Sequence, residues 1–502
     1  MSDLVVNRQS LKLTPDCRRV IARPLVVSNH QRFRNIIDRV QSLSGDETRQ
    51  QLRHVLDGFS IRHHDIKDTL LKHYLAVEEY IETPGTMSTE QRLLTGAYFT
   101  MEYALESAAL FNPSIVPDPD QTDLQPGELR VIMSLRAVGE GHISSIEFRR
   151  GVIASDGTFT IEPASRLVAT PEIIKDRHYD KNRFGMKLLE MCLPYDPIPL
   201  DMEKVILSGE IVSNVIGCLN DSFTYEELRQ AITEVSHQSA CQPGQYDPLS
   251  EMADKMIWLA NSNYEVQFHP DTPLSARAIF PVSENESKGI EDARFVHFTD
   301  EDGRAVYYAT YTAYDGSRIL TQLLETEDFL RFRISTLNGR NTHSKGMALF
   351  PRRIDGNYAM ISRVDGENLF LMYSSDINFW HEIIPLRKPK YAWEYIQIGN
   401  CGSPLETEEG WLLLTHGVGP MREYCIGAIL LDHDDPSEIV GELVEPLLAP
   451  DREEREGYVP NVLYTCGALI HGDYLFIPYA MSDVAVSLVT ISVPDILSGL
   501  RG

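Results

Sequence analysis

The stretch GIEDARFVHFTDEDGRAVYYATYTAYD, residues 289–315, decides how the second half of the chain is organised. It contains two runs rich in β-branched and aromatic residues, separated by a polar segment with a glycine, which is typical of strand, turn and strand. Three similar units follow it: NYAMISRVDGENLFLMYSSD (357–376), GWLLLTHGV with YCIGAILLD (410–432), and DYLFIPYAMSD with SLVTISV (473–493). The pattern predicts a series of antiparallel hairpins.

These units recur at a roughly constant distance. The markers Gly289, Lys345, Gln397 and Gly457 lie in the loops that lead into them and are 56, 52 and 60 residues apart. Repeats of this length with several short strands are typical of propeller blades, and the hairpins at 128–170 bring the total to about five. From the periodicity alone, a β-sandwich with long loops remains an alternative.

Two other regions have a different pattern of apolar residues. Residues 36–110 and 171–262 carry apolar residues at helical spacing, and Ser88 stands where an N-cap is expected, before the run at 88–110. The sequence therefore predicts a mainly β chain with helical additions. Its predicted parts are an N-terminal extended and helical region (1–110), a first strand unit (111–170), a helical insertion (171–262) and the remaining strand units (263–502).

The charge balance excludes several classes of function. The 502 residues include 46 Lys and Arg against 73 Asp and Glu, a net charge of −27, which argues against nucleic acid or an anionic membrane as partner. No transmembrane window or signal-peptide core is found. Seven cysteines without a CxxC pair predict reduced thiols, a cytoplasmic location and no metal site. A local cluster of Arg and Lys would stand out as a site for a small anion.

The segment GIEDARF (289–295) is the strongest candidate for chemistry. Glu291 and Asp292 are adjacent, and because neighbours on a strand point to opposite faces, we expect one to face a cavity and the other to make a structural bond. A carboxyl in a partly dry pocket can hold a proton for general acid catalysis. A solvated acidic pair before an edge strand is the alternative interpretation.

A second set of residues is cationic. Lys345, Arg363, His416 and Arg422 lie at the ends of predicted strands, where propeller loops would bring them together around a phosphate-sized anion. Taken singly, each has a structural alternative: Arg363 could pair with Asp365, and His416 could be a core histidine. Polar and aromatic residues suited to a sugar site form a third set: Asn112, Ser114, Arg136, His142, Tyr424, Asn461 and Asp483.

Together these segments resemble glycoside hydrolase family 130, the β-mannoside phosphorylases and their hydrolytic relatives. The matching pieces follow the family order: FNPSIV (111–116), MSLRAVGEGHISSIEF (133–148), GIEDARF (289–295), KGMALFPRRIDGNYAMISR (345–363), IQIGNCGSP (396–404), GWLLLTHGV (410–418), EYCIGAILLD (423–432) and IPYAMSD (477–483). The resemblance implies a five-bladed β-propeller. It also implies that a β-mannosidic bond is cleaved with inversion by inorganic phosphate, giving α-mannose 1-phosphate, with phosphate as co-substrate and no cofactor.

The resemblance also implies roles for individual residues. Asp292 matches the catalytic acid, which in this family is thought to act through a mannose hydroxyl. The matched phosphate positions are Lys345, Arg363, His416, Tyr424 and Gln397. The matched mannose positions are Asn112, Arg136, Arg294 and Asp483, with Ser114 and His142 adjacent to them. Gln397 departs from the family pattern, because phosphorylases commonly carry Lys or Arg there, so one cation is lost.

Two further functions stay open. A β-mannoside hydrolase on the same fold would need a carboxylate to activate water; Gln397 favours it, whereas Lys345, Arg363 and His416 argue against it. A non-catalytic glycan-binding propeller is the third hypothesis. The sequence leaves open the linkage, the leaving sugar and the oligomeric state. The helical additions could close the acceptor side of the pocket or form a homo-oligomer contact.

Overall fold

The computed structural model describes residues 4–27, 29–81, 84–174, 177–192, 202–238, 248–317 and 319–500. Its N-terminal region is mostly helical. The elements there are β1 (Asn7–Arg8), β2 (Val20–Pro24), α1 (His30–Gln41), α2 (Gly45–Phe59), α3 (Ile66–Leu75), α4 (Thr89–Tyr98) and β3 (Thr100–Ala104). Ser88 caps α4 in a capping box with Gln91, which confirms the predicted N-cap.

The predicted helical run over 88–110 is wrong in its second half. Helix α4 ends at Tyr98, and Thr100–Ala104 forms β3, which pairs antiparallel with β2 from Val20↔Ala104 to Pro24↔Thr100. Pairing with the extended N-terminal segment outweighs the local helical periodicity of these residues.

The first strand group and the insertion follow. The strands β4 (Ala109–Pro117), β5 (Leu129–Val138), β6 (Ser144–Ile153) and β7 (Phe159–Ile161) precede β8 (Glu172–Ile174), β9 (His178–Asp180), α5 (Lys181–Met191), α6 (Met202–Gly217), β10 (Ser222–Thr224), α7 (Tyr225–Gln238) and α8 (Pro248–Asn261). The insertion has its own core, in which Phe184, Leu188 and Met256 are buried together. It is mainly helical, as predicted, with short strands between its helices.

Four further strand groups complete the chain. After β11 (Tyr264–Gln267) and β12 (Ala278–Ile279), the second group is β13 (Gly289–Thr299), β14 (Ala305–Tyr314), β15 (Ile319–Thr326) and β16 (Arg331–Thr336). The third is β17 (Ala348–Leu349), β18 (Tyr358–Ser362), β19 (Leu369–Ser374) and β20 (Glu382–Arg387). The fourth is β21 (Gln397–Asn400), β22 (Leu405–Thr407), β23 (Gly410–Val418), β24 (Tyr424–Leu431) and β25 (Ile439–Glu442). The fifth is β26 (Leu463–Tyr464), β27 (Leu469–His471), β28 (Tyr474–Met481) and β29 (Ala485–Ser492), followed by α9 (Val493–Leu500).

Strands within each group pair antiparallel, as the hairpin pattern predicts. The order follows the chain in the first three groups, whereas β21 and β22 both pair with β23, and β26 and β27 both pair with β28. Strand β1 adds to the fifth group by pairing with β29. Hydrophobic clusters join each group to the next and the fifth group to the first. One pair from each junction is Phe148–Phe295, Phe298–Tyr358, Phe350–Trp411, Leu414–Leu475 and Phe476–Ile115. The chain is therefore mainly β, with packed strand groups and helical additions.

None of the helices in the described ranges is long and apolar enough to cross a membrane. The cysteines at 17, 192, 218, 401, 425 and 466 are free, and Cys241 lies outside the described residues. No group of His, Cys, Asp and Glu suited to a metal ion occurs in the described part of the chain.

Candidate active site

Strained backbone in two strand bulges and in the turn between β28 and β29 positions three polar side chains of the site. Asn112, Asp292 and Asp483 have left-handed φ values of 47°, 55° and 52°. Asn112 lies in a bulge of β4 and Asp292 in a bulge of β13, where the register shifts between Glu291 and Arg294. Bulges change the direction of a side chain, and strained residues of this kind, each costing about 1–3 kcal/mol, cluster at functional sites.

Both carboxylates of the GIEDARF segment contact one guanidinium. Arg136 donates to Asp292 Oδ1 at 3.1 Å and to Glu291 Oε1 at 2.9 Å. The expectation that Glu291 and Asp292 point to opposite faces is wrong, because the bulge breaks the alternation of β13. Glu291 also pairs with Lys345, so it makes the structural bonds while Asp292 lies between Asn112 and Arg136.

Asp292 is an ionised carboxylate in this arrangement. Burial raises its pKa, but the nearby Arg136 and Arg294 guanidiniums, the Asn112 hydrogen bond of 2.6 Å and Lys345 outweigh burial and hold the pKa below its usual value. Burial thus favours a proton on Asp292, as for any carboxyl in a partly dry pocket, but the surrounding cations oppose it in the unliganded site. A proton can be held there only when something offsets the surrounding cations.

Asp483 takes up a proton more readily than an ordinary aspartate. Burial and the negative charge of Asp292 raise its pKa to about 6, although Arg136 and Arg422 act in the opposite direction. Two carboxyls in one site thus have pKa values that are pushed apart, which is a pattern of acid–base sites.

Two predicted sugar-contacting residues lie beneath the site. Arg294 is 2% exposed and donates to the Asn400 carbonyl at 2.9 Å and to the Tyr464 hydroxyl. Ser114 is fully buried, and its hydroxyl accepts a hydrogen bond from the Phe295 amide at 3.1 Å. Both side chains are enclosed by the protein and hold the bulged strands in place. The structure therefore supports a positioning role for them and not direct contact with a sugar.

The phosphate candidates Arg363 and His416 lie together. Arg363 donates to His416 Nε2 at 3.2 Å, and His416 Nδ1 lies 3.3 Å from the Asn400 carbonyl. An Nε2 that accepts and an Nδ1 that donates define a neutral ring. Burial, and then the charges of Arg363 and Arg294, keep the pKa of His416 well below its usual value. His416 is therefore a neutral hydrogen-bonding group and not the cation that the sequence suggested.

Arg363 is a partly buried cation of the site whose charge no neighbouring carboxylate balances among the described residues. Its suspected partner Asp365 instead accepts hydrogen bonds from the amides of Glu367 and Asn368. Within the described ranges no carboxylate lies at ion-pair distance from Arg363, and its Nε is buried without a hydrogen-bond partner. A buried guanidinium in this state attracts a negatively charged ligand.

The other predicted phosphate contacts lie partly beside Arg363 and partly beside Glu291. The ring of Tyr424 stacks on His416 at 5.8 Å, and Gln397 Nε2 lies 3.5 Å from the Tyr424 hydroxyl, so these three continue the Arg363 cluster. Lys345 lies on the carboxylate side, bound to Glu291. We call Arg363, His416, Tyr424 and Gln397 the phosphate side, and Arg136, Glu291, Asp292, Asp483 and Lys345 the carboxylate side.

Two residues that the sequence did not single out join the two sides. The Asn400 carbonyl contacts both Arg294 and His416, and the Tyr464 ring packs against His416 at 5.0 Å while its hydroxyl accepts from Arg294. Asn400 lies in the predicted IQIGNCGSP segment, but nothing in the sequence marks its carbonyl as the bridge.

His142 and Asn461 lie in turns near the site. His142 is exposed, and its Nδ1 lies 2.9 Å from the Tyr458 hydroxyl. Asn461, which also has a left-handed backbone, accepts a hydrogen bond from Arg455 at 3.3 Å and binds the Tyr424 amide through its carbonyl. The Val459 amide binds the Ser482 carbonyl, so this loop lies directly beside Asp483.

Comparison with known proteins identifies the class to which this fold and site belong. A family model described as β-1,4-mannooligosaccharide phosphorylase, that of glycoside hydrolase family 130, matches residues 246–501. The chain therefore belongs to glycoside hydrolase family 130.

Individual relatives carry related names. A 1,2-β-oligomannan phosphorylase of Thermoanaerobacter sp. (strain X514) is 31% identical over 43% of this chain and 72% of its own length. A β-1,2-mannobiose phosphorylase of Listeria innocua is 28% identical over 44% of this chain and 63% of its own. A β-1,4-mannooligosaccharide phosphorylase of Ruminococcus albus is 35% identical over 30% and 49%. The chain thus covers between half and three quarters of these relatives.

Among solved structures, the Listeria innocua β-1,2-mannobiose phosphorylase in complex with β-1,2-mannobiose aligns over 80% of this chain and 93% of its own. The TM-score is 0.44 and the sequence identity is 18%.

Proposed function

We propose that the chain is an inverting glycoside phosphorylase that cleaves a β-mannosidic bond with inorganic phosphate and releases α-mannose 1-phosphate. The observation that carries this proposal is Arg363. It is a partly buried guanidinium without a carboxylate partner in the described ranges, hydrogen-bonded to neutral His416. A dianion is the ligand that this arrangement accommodates best. The names of the family relatives support the same chemistry.

The proposed reaction uses one protein carboxyl. A phosphate oxygen attacks C1 of the mannose as the bond from C1 to the leaving oxygen breaks, with inversion. Asp292 supplies the proton that the leaving oxygen takes up, by way of a mannose hydroxyl. The phosphate side positions the nucleophile and offsets its charge.

Phosphate also accounts for how Asp292 obtains its proton. The pKa of Asp292 is held down by Arg136, Arg294 and Lys345 in the empty site. A bound dianion adds negative charge and offsets these cations, which raises the tendency of Asp292 to take up a proton. On this view the acid becomes competent when the nucleophile has bound.

We assign the remaining residues by their positions. Arg363, His416, Tyr424 and Gln397 contact phosphate, and Lys345 can join them when it leaves Glu291. Asn112, Arg136 and Asp483 contact the mannose, and Arg294 and Ser114 position the strands that carry them. His142 and Tyr458 stand at the edge, where a leaving sugar would lie.

We also propose that the five strand groups are blades of one β-propeller. In support, hydrophobic clusters join each group to the next and the fifth to the first. The regions 1–110 and 171–262 are then additions to that propeller, apart from β1, which belongs to the last blade.

The test is product analysis on a panel of β-1,2-, β-1,3- and β-1,4-mannobioses, with and without phosphate. We expect α-mannose 1-phosphate to form from at least one member only when phosphate is present, and the same disaccharide to form from α-mannose 1-phosphate and the free sugar. Free mannose released at an undiminished rate without phosphate would contradict phosphorolysis.

One observation favours a hydrolase as the second candidate. Asp483 is a second carboxyl close to Asp292, with a pKa of about 6, and such a group can activate water. In a hydrolase, Asp483→Asn would abolish cleavage in phosphate-free buffer. In a phosphorylase neither the parent nor the variant cleaves the mannoside in that buffer. Comparing parent and variant without phosphate therefore distinguishes the two functions.

A further inference from the structure

A second, positively charged cavity lies where the helical insertion meets the second strand group. Its volume is about 420 Å³, and it is bordered by β9, α5 and the outer strands β15 and β16. Five Arg and Lys side chains line it, against three Asp and Glu side chains. Cavities of this size hold small organic ligands. In a chain with a net charge of −27, an excess of cations at one cavity is unusual.

Arg177 is the cation that sets this cavity apart. Four of the five lining cations make ion pairs: Arg183 with Asp376, Lys187 with Glu190, and Arg331 and Arg333 with Glu265. For Arg177, no carboxylate lies at ion-pair distance among the residues that the structure describes. Its guanidinium donates to the Ile334 carbonyl at 2.7 Å and lies 5.5 Å from the Tyr179 ring.

The charge on Arg177 is poorly compensated. Burial, and to a smaller extent the charge of Arg333, lower its pKa to about 10 against the opposite influence of Tyr179 and Glu265. A buried cation in this state costs free energy that an incoming anion would recover. Since a guanidinium presents several donors in one plane, phosphate is a suitable anion.

Asn338 adds a requirement for a hydroxyl group. It lines the same cavity and is 4% exposed, and its Oδ1 is buried without a hydrogen-bond partner. An amide oxygen accepts hydrogen bonds, so its missing partner is a donor, which a phosphate dianion cannot supply. A ligand that satisfies both Arg177 and Asn338 carries a phosphate group and hydroxyl groups.

We propose that this cavity is a binding site for a phosphorylated monosaccharide, with the phosphate on Arg177 and a sugar hydroxyl on Asn338 Oδ1. The cavity shares no lining residue with the phosphate side or the carboxylate side of the candidate active site. Binding here does not require that the chain cleaves mannosides, so this proposal is tested independently of the proposed reaction.

The experiment is calorimetric titration of the full chain with α-mannose 1-phosphate, inorganic phosphate and mannose. The Arg363→Gln variant serves as background, because that change weakens phosphate binding at the candidate active site. We expect α-mannose 1-phosphate to bind this background with one site, and both inorganic phosphate and mannose to bind at least tenfold more weakly. Equal affinity for inorganic phosphate would overturn the assignment to a sugar phosphate.

Adding Arg177→Gln should weaken the remaining site at least tenfold, and Arg177→Lys should restore part of the affinity. Arg304→Gln, an exposed arginine paired with Glu327 elsewhere in the second strand group, is the matched control and should change nothing. If Arg177→Gln impairs folding, Arg183→Glu reverses a charge that is 50% exposed, and a several-fold loss is expected. Unchanged affinity in a folded Arg177→Gln or Arg183→Glu protein would overturn the proposal.

Discussion

The carboxylate side and the phosphate side of the candidate active site handle their charges in opposite ways. On the carboxylate side, Arg136 and Lys345 are bound by Glu291 and Asp292, so the cations there are already compensated. On the phosphate side, Arg363 has only the neutral His416 as its side-chain partner among the described residues. The cations of one half have carboxylate partners, and Arg363 in the other half has none among the described residues.

This difference shows how one cluster can serve two reactants. The compensated half can hold the neutral hydroxyl groups of a sugar, because its two cations already have carboxylate partners, while Arg136 Nε and the neighbouring Asn112 Oδ1 are buried without a hydrogen-bond partner. In the proposed reaction the uncompensated half binds the phosphate dianion. Lys345 stands between these roles, since it is bound to Glu291 in the empty site but matches a phosphate position of the family.

The largest expected effect comes from removing the acid on the carboxylate side. Asp292→Asn keeps the size of the side chain but cannot donate a proton, so we expect kcat to fall by about 10³-fold with little change in KM for the mannoside. Initial-rate kinetics on the best mannobiose will measure this. Asp300→Asn, which alters a carboxylate paired with Arg353 at a surface turn, is the control and should keep parental activity.

The next effect comes from the phosphate side. Arg363→Gln removes the uncompensated cation, so kcat/KM for phosphate should fall about a hundredfold, while KM for the mannoside changes little. Phosphate titrations at saturating mannoside measure both constants, with Arg304→Gln as control. A loss confined to KM for the mannoside would show that the two sides have been assigned the wrong way round.

Asp483→Asn tests the charge balance of the carboxylate side through stability. Because the folded-state pKa of Asp483 is raised to about 6, folding holds a proton on it that the unfolded chain releases near pH 4. The parent therefore loses this contribution as pH rises from 4 to 6. The variant should be more stable than the parent by about 2 kcal/mol above pH 6 and should gain nothing below pH 4. Denaturant unfolding at pH 4 and pH 8 checks this, and an equal difference at both values would contradict it.

The smallest expected effect comes from adding a cation to the phosphate side. Gln397→Lys restores the cation that the family commonly carries, so KM for phosphate should fall several-fold, equivalent to about 1 kcal/mol. The control Gln397→Met removes the amide without adding charge and should not lower KM. An increase in KM for phosphate in the lysine variant would show that Gln397 lies away from the phosphate.

The hairpin pattern made the strand groups predictable. The bulges were not predictable, because strict alternation placed Glu291 and Asp292 on opposite faces and only the register shift in β13 brings both to Arg136. The charge states of the site residues could not be predicted from the sequence either. His416 is neutral and Asp292 is ionised because of neighbours contributed by distant segments, which no local pattern reveals. Strand β3 was missed for a similar reason, since its partner β2 lies about 80 residues away.

The proposal that the uncompensated half binds the nucleophile is tested most directly by the phosphate dependence of cleavage. The initial rate of mannobiose cleavage should be recorded as a function of phosphate concentration, starting from phosphate-free buffer. If Arg363 and its neighbours bind the nucleophile, the rate rises hyperbolically from zero, and the phosphorus signal of α-mannose 1-phosphate grows in step with cleavage. A rate without phosphate that equals the plateau, with free mannose as product, would contradict the account.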